Sequence, residues 1–534
     1  MTNIVLEKSN LGLDYPSRLP TLNIDFTHER LDPRISFSRN SIGTRVNRFG
    51  YIEQISANKP RFDYDPITKQ MNGLLIEEQR TNLINYSANL ASWTNPGGGT
   101  VTANTTETLA PDGTYSATKI SPSPGTNYAN GYGISNAFGT YTPGDTYSLS
   151  FYIKSGGSNA TSFAIAANGT TSANQTFWIT GIPIDPKQSY SYISIGSNTI
   201  PSTQISNLGN LERIQYPNGW TKFILYDFTI SNTATCKDLI IQHTGYVPII
   251  GSPLSTMYIW GVQLEKGNFP SSYIPTSGSQ VTRNSDSVKI SSNDFSSFFN
   301  SNEGTIILTG RSNESRSEKS VGETRRFVEL SDGTSSNNIF LGFTTPRTQL
   351  SVTKSSSITS NVINFATTNT QSNRNFITLI DPFGGYTFLE TKLPHGLKIN
   401  DIIRVSTSSN GMLVNTNYYV SNVDSLTRFS LGTSIGNRDS FTYGVDLSIP
   451  FYTYSSLQKR LKIAGAYKNN NAQQATNGIL GSEYFNVIFP ETIDEISIGA
   501  DGALTVGKFL NGTIENFTYY DYRLTNQQLV NMTV

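Results

Sequence analysis

The sequence predicts an all-β protein in which tandem antiparallel β-sandwiches follow a short N-terminal module. Segments that alternate between apolar and polar residues recur from residue 86 onward, and Gly, Pro, Asn and Asp separate them. Charged residues make up 15% of the chain and aromatic residues 11%, whereas about 25% charge is usual in a soluble domain. The length of 534 residues exceeds what one hydrophobic core organises, so we expect two to four domains.

The first 85 residues form the predicted N-terminal module. Residues 1–20 are polar and weakly periodic, which is typical of an extended arm, and residues 22–26 alternate as a strand does. Five arginines then follow among three acidic residues: Arg30, Arg34, Arg39, Arg45 and Arg48, with Asp25, Glu29 and Asp32. This charge density fits either a solvated, salt-bridged surface or a docking face built from bidentate Arg–carboxylate pairs.

The composition changes within residues 59–86, which are rich in Arg, Asp, Glu and aromatic residues. The chain that follows is charge-poor and rich in Ser, Thr, Asn and Gly. We therefore predict an assembly junction here that fixes how the N-terminal module meets the sandwiches. Its charged side chains are expected to pair among themselves or across subunits: Arg61, Asp63, Asp65, Glu77, Glu78 and Arg80.

Two larger regions follow the junction. Residues 86–285 contain short alternating strands at the spacing of an antiparallel sandwich or jelly roll. Residues 286–534 are again strand-patterned, and residues 375–455 differ from their mutually similar flanks. We interpret 375–455 as a small β-barrel inserted into a loop of a sandwich, where insertions are tolerated. Residues 524–529 predict a closing helical turn with Thr525 as its N-cap.

Several classes of function are disfavoured by composition. The net charge is zero, so no basic excess favours nucleic-acid binding. Cys236 is the only cysteine and the chain has three histidines, so we expect no disulfide, no cysteine-based metal cluster and no cofactor. No signal peptide and no window of 18 apolar residues is present, so we expect no membrane insertion.

Catalytic motifs are also missing from the sequence. It holds no GxSxG, Walker A, HExxH or GxGxxG pattern. Asp63 and Asp65 would share one strand face, but both lie in the charged junction, and the carboxylates of an acid/base pair in glycosidases usually come from different strands. Glu77 and Glu78 are adjacent and would point apart, and His395 lies in a Pro/Gly turn. The sequence therefore predicts a protein that is not an enzyme.

Glycan binding leaves little trace in a sequence, because it needs only exposed aromatic rings and amide or carboxylate groups on loops. Trp93 and Tyr132 lie in Gly/Asn-rich loops and are our candidate glycan contacts. Trp220 and Trp260 lie in strand-like runs, so we predict that they belong to a core.

Four sets of motifs carry a family resemblance. Residues 32–44 (DPRISFSRNSIGT), 58–66 (NKPRFDYDP) and 73–83 (GLLIEEQRTNL) resemble, in this order, the N-terminal module of many tailed-phage structural proteins. Residues 110–119 and 261–275 (GVQLEKGNFPSSYIP) look like a carbohydrate-binding-module-type jelly roll. Residues 509–529 are similar to the closing strand and helix of phage concanavalin A-like (LamG-type) lectin domains. Residues 393–429 resemble small modules in structural proteins of cyanobacterial and other marine phages.

The resemblance implies a virion protein that is assembled in a host cytoplasm and released by lysis. Its implied form is a fibre-like appendage, anchored by its N-terminal module to tail, baseplate or capsid proteins, that presents sandwiches to a host-surface glycan. A trimer is the usual oligomer of such fibres. A capsid decoration protein that stabilises the shell is the alternative, and a polysaccharide depolymerase ranks last because no carboxylate constellation supports it.

Overall fold

The structure is a computed structural model of the chain. It describes residues 14–93, 99–121, 133–137, 142, 145–157, 162–169, 177–185, 194–196, 211–229, 236–243, 256–313, 325–344, 347–354, 357–364, 376–383, 386–391, 402–405, 418–423, 428–432, 449–453, 460–481, 483–485, 487–490 and 492–534. Every strand pair that these residues form is antiparallel, so the predicted all-β fold is confirmed.

Seven strands precede residue 86: β1 (Leu22–Asp25), β2 (Ser36–Ser38), β3 (Gly43–Val46), β4 (Ile52–Ile55), β5 (Arg61–Tyr64), β6 (Met71–Ile76) and β7 (Arg80–Asn82). Strands β3 and β4 form a hairpin in which Thr44 lies opposite Gln54. Strands β5 and β6 form a second hairpin. Its turn is stabilised by Asp65, whose Oδ1 accepts hydrogen bonds from the backbone N–H groups of Ile67 and Thr68 at 2.9 and 2.7 Å.

The next region contains β8 (Thr100–Thr102), β9 (Thr118–Ser121), β10 (Gly133–Ala137), β11 (Thr146–Ser155), β12 (Ser162–Gly169), β13 (Phe177–Pro183), β14 (Ser194–Gly196), β15 (Leu211–Gln215), β16 (Thr221–Thr229), β17 (Cys236–His243) and β18 (Met257–Lys266). They form a six-stranded sheet, β15-β16-β11-β18-β9-β8, and a five-stranded sheet, β10-β17-β12-β13-β14. Tyr147, Leu149, Phe151 and Ile153 alternate along β11 and are buried in one core with Leu239 and Ile241 of β17. We call this two-layered region the jelly roll.

The chain continues through β19 (Val281–Arg283), β20 (Ser287–Ser291), helix α1 (Ser292–Ser296), β21 (Glu303–Ser312), β22 (Arg325–Ser331), β23 (Asn338–Thr344), β24 (Arg347–Lys354) and β25 (Ser357–Asn364). A closed barrel follows, formed by β26 (Phe376–Phe383), β27 (Tyr386–Thr391), β28 (Ile402–Val405), β29 (Tyr418–Val423), β30 (Arg428–Gly432) and β31 (Ile449–Thr453). The small inserted β-barrel that the sequence predicts is therefore present.

The last elements are β32 (Leu461–Lys468), β33 (Asn471–Thr476), β34 (Ile479–Leu480), β35 (Tyr484–Phe485), β36 (Glu495–Ile498), β37 (Gly512–Tyr520) and helix α2 (Asn526–Thr533). Thr525 caps α2 as predicted: its Oγ1 accepts from the backbone N–H of Gln528, whose side chain accepts from the backbone N–H of Thr525 in return. The helix is longer than the predicted single turn, and its Leu529 is buried. No helix among the described residues has the length and hydropathy needed to cross a lipid bilayer.

A second sandwich encloses the largest core. One layer has nine strands, ordered β34-β33-β32-β21-β37-β6-β5, with β1 added on β37 and β35 on β33. The other layer has seven strands, ordered β2-β20-β36-β22-β23-β24-β25. Side chains from both layers, such as Ile306, Phe517 and Leu341, are buried between them. We call this region the main sandwich.

The main sandwich differs from the predicted division at residue 85. Strands β1, β5 and β6 belong to its nine-stranded sheet, and β2 belongs to its seven-stranded sheet. For example, Ile24 lies opposite Phe517, and Leu74 lies opposite Ile514. Alternation predicts that a segment is a strand but does not identify its partner, and here the partners are several hundred residues away. Strands β1, β2, β5 and β6 therefore complete sheets whose other strands come later in the chain, whereas β3 and β4 form a separate two-stranded hairpin.

The jelly roll interrupts the main sandwich along the chain. The chain leaves the sandwich through β7 and returns through β19, and these two strands pair with each other, Asn82 opposite Val281 and Arg80 opposite Arg283. This two-stranded ribbon is the root from which the jelly roll extends. Side chains at the root therefore determine how the two units are joined.

Candidate functional site

Five ionic side chains are buried at the root of the jelly roll, and we call them the root cluster: Arg39, Arg61, Glu77, Arg283 and Asp286. Their side chains are at most 1% exposed. Arg61 Nη1 lies 2.7 Å from Glu77 Oε2, and Arg61 Nη2 lies 2.5 Å from Asp286 Oδ2. Arg39 contacts the other oxygen of Asp286 at 3.1 Å, and Arg283 lies 3.5 Å from Glu77. Each carboxylate is thus shared by two guanidinium groups.

Separate segments supply the root cluster. Arg61 begins β5, Glu77 follows β6, Arg283 ends β19 and Asp286 precedes β20. Glu77 and Asp286 are also linked through their backbones: the Glu77 N–H donates to Asp286 Oδ2 at 2.9 Å, and the Asp286 N–H donates to the Glu77 carbonyl at 3.0 Å. The cluster therefore connects the strands on both sides of the jelly roll.

The jelly roll contributes Ser272, which lies between β18 and β19. Its Oγ donates to Glu77 Oε2 at 2.6 Å, and its N–H donates to Glu77 Oε1 at 2.7 Å. Gly43 of β3 packs against the same cluster, where a Cβ atom would lie 3.0 Å from both Arg39 Nε and Arg61 Cδ. The cluster is thus closely packed and is bonded to the jelly roll as well as to the main sandwich.

The surroundings of Glu77 keep its carboxylate ionised. Burial alone would raise the pKa of Glu77, but Arg283, Arg61 and the Ser272 donors lower it to about 2. Burial lowers the pKa of Arg39 and of Arg283, whereas Asp286 and Glu77 raise the pKa of Arg61 despite its burial. Charges in such a site stay buried because they compensate one another.

The six predicted junction residues have different environments. Arg61 and Glu77 belong to the root cluster, and Glu78 pairs with Arg80 at 2.5 Å. Asp63 makes no ion pair that the described residues show; it accepts from the Val46 N–H at 2.9 Å and from Asn72 Nδ2 at 3.2 Å. Asp65 stabilises the β5–β6 turn. The pairing expected of Asp63 and Asp65 within the chain is therefore corrected, since their hydrogen-bond partners are backbone and amide groups. Their pairing across subunits stays a prediction.

Arg39 is predicted only as one of the N-terminal arginines and not as part of the junction. Three further residues at the root are also absent from the predicted junction: Arg283, Asp286 and Ser272. They lie 195–225 residues after their partners Arg61 and Glu77, so local pattern does not connect them. The one local signal is that Arg283 and Asp286 bring charge to a charge-poor stretch at the predicted domain boundary.

The predicted glycan contact Trp93 is a core residue. It is 5% exposed, and its indole Nε1–H donates to the Tyr86 carbonyl at 3.0 Å. A Gly/Asn-rich neighbourhood predicts an exposed loop, but the short helical turn Leu90–Ser92 directs Trp93 into the jelly-roll core. Tyr132 lies outside the described residues. Trp220 and Trp260 are 0% and 2% exposed, as predicted.

A partly open cavity of about 260 Å³ lies beside the root cluster, and we call it the root cavity. One wall is the face of the six-stranded sheet that points away from the jelly-roll core. Residues of β3 to β6 and of the segment 270–273 supply the rest of the lining together with Asn313. The polar and aromatic lining includes Thr44, Arg45, Asp63, Tyr64, Asp65, Asn72, Glu77, Tyr152, Tyr216, Lys222, Ser271, Ser272, Tyr273 and Asn313.

Asp63 is a carboxylate of the root cavity whose pKa is raised, whereas the pKa of Glu77 is lowered. Burial raises the pKa of Asp63 to about 6, although the donors from Val46 and Asn72 act in the opposite direction. Tyr152 and Tyr216 lie near it with their rings edge to face, 4.9 Å between centroids, and burial raises the pKa of Tyr152 well above its usual value. The described residues contain no group of three or more His, Cys, Asp or Glu arranged to hold a metal ion.

Comparison with known proteins gives matches only among solved structures: no family model and no curated protein matches the chain. The sialidase CBM40 of Ruminococcus gnavus aligns with 44% of this chain and 84% of its own, at 11% identity and a TM-score of 0.24. Domains LG4-5 of the mouse laminin alpha1 chain align with 74% of this chain and 88% of theirs, at 9% identity and a TM-score of 0.19. The binding domain of botulinum neurotoxin DC, solved in complex with rat synaptotagmin II, aligns with 86% of this chain and 98% of its own, at 8% identity and a TM-score of 0.17. These TM-scores are too low to relate the folds, and the antiparallel β-sandwiches are assigned from the strand pairing of this chain alone.

Proposed function

We propose that the chain is a non-enzymatic structural component of a bacteriophage particle, a fibre-like subunit that presents its sandwiches to a host-surface glycan. The observation that carries the proposal is the root cluster. It joins two β-sandwich units through buried ion pairs, and such a joint holds the units in one orientation. A subunit that transmits force between a particle and a cell surface needs a fixed orientation between its domains.

The motifs that resemble tailed-phage proteins supply the root. Arg39 comes from residues 32–44, Arg61 from 58–66 and Glu77 from 73–83. The motif 261–275 supplies Ser272, and within it Gln263 accepts from the Ile274 N–H at 2.6 Å. The residues that build the joint therefore lie within the motifs that resemble tailed-phage proteins. This supports the proposal that the chain is assembled in the same way as those proteins.

Breaking the joint would be costly. Removal of one partner from a buried ion pair typically destabilises a protein by about 3–5 kcal/mol, because the other charge is left buried without compensation. An exposed ion pair contributes about 0–1 kcal/mol. Loss of one root-cluster residue is therefore expected to cost more than loss of an exposed ion pair, because of the charge that it leaves buried.

A density map of the intact particle tests the proposal. We expect two adjoining β-sandwiches per subunit in an appendage, with subunits in the threefold arrangement that fibres commonly use. Density on the shell lattice would instead identify a capsid decoration protein. Absence of the chain from purified particles would contradict the proposal.

Adsorption of the purified full-length chain to host cells tests the proposed contact with a glycan. We expect binding that is lost after enzymatic removal of surface polysaccharide, and light scattering should show a trimer. Release of reducing ends from that polysaccharide by the chain would contradict the non-enzymatic part of the proposal.

A further inference from the structure

The root cavity has the properties of a small-molecule site. We propose that it binds one neutral monosaccharide unit, and this inference rests on the proposed contact with a host glycan. It differs from the predicted glycan contacts, since Trp93 is buried elsewhere in the jelly-roll core and is absent from the cavity lining.

The size of the cavity fits one sugar ring. A water molecule occupies about 30 Å³ in the liquid, so 260 Å³ holds roughly nine waters. A hexose has twelve non-hydrogen atoms and fills a comparable space, whereas two linked rings would extend out of the cavity. Because the cavity is partly open, the ring can be the end or a branch of a longer chain.

The lining offers both kinds of surface that a sugar presents. Tyr152, Tyr216 and Tyr273 line the cavity with the small parts of their rings that are exposed, 2–7% of each residue. Ile214 and Ile224 add apolar surface for the C–H faces of the sugar ring. Each oxygen of Asp63 accepts one protein hydrogen bond, at 2.9 and 3.2 Å, and a carboxylate oxygen can accept two. Asp63 therefore retains acceptor capacity for sugar hydroxyls.

The charges around the cavity favour a neutral ligand. Lys222 and Arg45 are positive, Asp63 and Asp65 are negative, and Glu77 is compensated by Arg61 and Arg283. Arg45 is further paired with Glu29 at 3.2 Å and with Glu53 at 3.3 Å. Charges of both signs therefore line the cavity, which provides hydrogen-bond donors as well as acceptors to a neutral ligand.

The root cluster also holds the cavity open in one shape. Glu77, Ser272 and Thr44 line the cavity and are bonded to the cluster or its neighbours: Ser272 donates to Glu77, and the Thr44 carbonyl accepts from Arg61 at 3.0 Å. A preformed site avoids the ordering cost that weakens binding to mobile loops. The joint and the binding site are thus parts of one structure.

Saturation-transfer NMR and calorimetric titration of the full-length chain with methyl glycosides of glucose, galactose, mannose and N-acetylglucosamine test the proposal. We expect at least one to bind. The variants Asp63→Asn and Lys222→Met should weaken that binding at least about tenfold, since each removes a charge-assisted hydrogen bond. Lys154→Met is the matched control, because Lys154 is a partly buried lysine of the same sheet that donates to Thr108 at 2.8 Å and does not line the cavity.

The outcomes separate this proposal from the proposed function. Unchanged binding in Asp63→Asn and Lys222→Met, with unchanged melting temperatures, would overturn the cavity as the site. Adsorption of the chain to cells without binding of any glycoside would also overturn it, while leaving the proposed function intact. Absence of the chain from particles would overturn the proposed function, and glycoside binding that depends on Asp63 would then still support the site.

Discussion

At the scale of single residues, the root cluster is a set of charges that stabilise one another only while all are present. Arg61 contacts both Glu77 and Asp286, and its side chain is fully buried. We predict that Arg61→Met lowers the free energy of unfolding by about 3–5 kcal/mol, because two carboxylates lose a shared partner. Denaturant unfolding measures this difference.

The control for Arg61→Met is Arg18→Met. Arg18 pairs with Asp521 at 3.1 Å, but its side chain is 61% exposed, and exposed pairs contribute little. Equal losses of stability in the two variants would contradict the importance that we give to burial.

Glu77 makes stability depend on pH in a defined direction. Its pKa is about 2 in the folded chain and 4.5 as the ordinary value, so the unfolded state binds the proton more readily. Its stabilising contribution is complete above about pH 4.5 and is lost as the pH falls toward 2. The loss of stability over this range should be shallower in Glu77→Gln than in the wild type. A parallel dependence in both proteins would contradict the assignment.

The ionisation of Asp63 should make the stability of the chain depend on pH in the opposite direction. The pKa of Asp63 is raised from 3.8 to about 6 by burial, so the folded state binds the proton more readily. Its contribution should fall as the pH rises from about 4 to 6, by on the order of 1–3 kcal/mol. Asp63→Asn should remove this fall, and the difference between variant and wild-type unfolding curves measures it. The prediction would be contradicted if the free energies of unfolding of variant and wild type differed by the same amount at pH 4 and at pH 6.

At the scale of secondary structure, the sequence predicts strand positions better than strand partners. Alternation along β11 places Tyr147, Leu149 and Phe151 on one face, and the structure buries them in the jelly-roll core. The same reasoning cannot reveal that β6 pairs with β37, because that pairing depends on contacts between distant segments. Trp93 was mispredicted for a related reason: local composition indicates a loop but not whether its aromatic side chain turns inward.

Helix α2 provides an element-scale test. The Thr525 side chain accepts from the Gln528 N–H at 3.1 Å as part of a capping box. We predict that Thr525→Ala destabilises the chain by about 1 kcal/mol, whereas Thr525→Ser keeps the hydroxyl and most of the stability. Thermal unfolding of the two variants checks this, and equal losses would contradict the role of the hydroxyl group.

At the scale of the whole molecule, the main sandwich requires both ends of the chain. A fragment of residues 86–534 lacks β1, β5 and β6, and it would expose the edge of β37 and core side chains such as Ile514 and Phe517. We predict that this fragment does not form the native sandwich. Rapid proteolysis and loss of cooperative thermal unfolding would confirm this; a protease-resistant fragment would contradict the strand assignment.

Removal of the jelly roll should have a milder effect. Asn82 of β7 lies opposite Val281 of β19, so replacing residues 83–280 with Asn-Gly would close a two-residue hairpin. All five residues of the root cluster remain in this variant, whereas Ser272, which donates to Glu77, is removed. We predict a folded main sandwich with a single cooperative transition, measured by calorimetry. Failure of the variant to fold would show that the jelly roll supplies more of the stability than its connecting ribbon indicates.

The sequence identifies some residues of the root cluster but not their distant partners. The charge density of residues 59–86 marks Arg61 and Glu77 correctly as members of a junction-forming segment, because charge is rare elsewhere in the chain. The acidic partner Asp286 follows Arg61 by 225 residues, and the root cavity is lined by distant parts of the chain, from Thr44 to Asn313. Such sites arise from topology, which the local pattern of a single sequence does not contain.

The central claim is that the root cluster holds the jelly roll and the main sandwich in one orientation. The most direct test is a distance distribution between spin labels at Tyr115→Cys and Phe485→Cys, which are 54% and 66% exposed in the wild type, with Cys236→Ser to remove the native thiol. We predict one narrow distribution for the full-length chain in solution. A broad or bimodal distribution would contradict the claim.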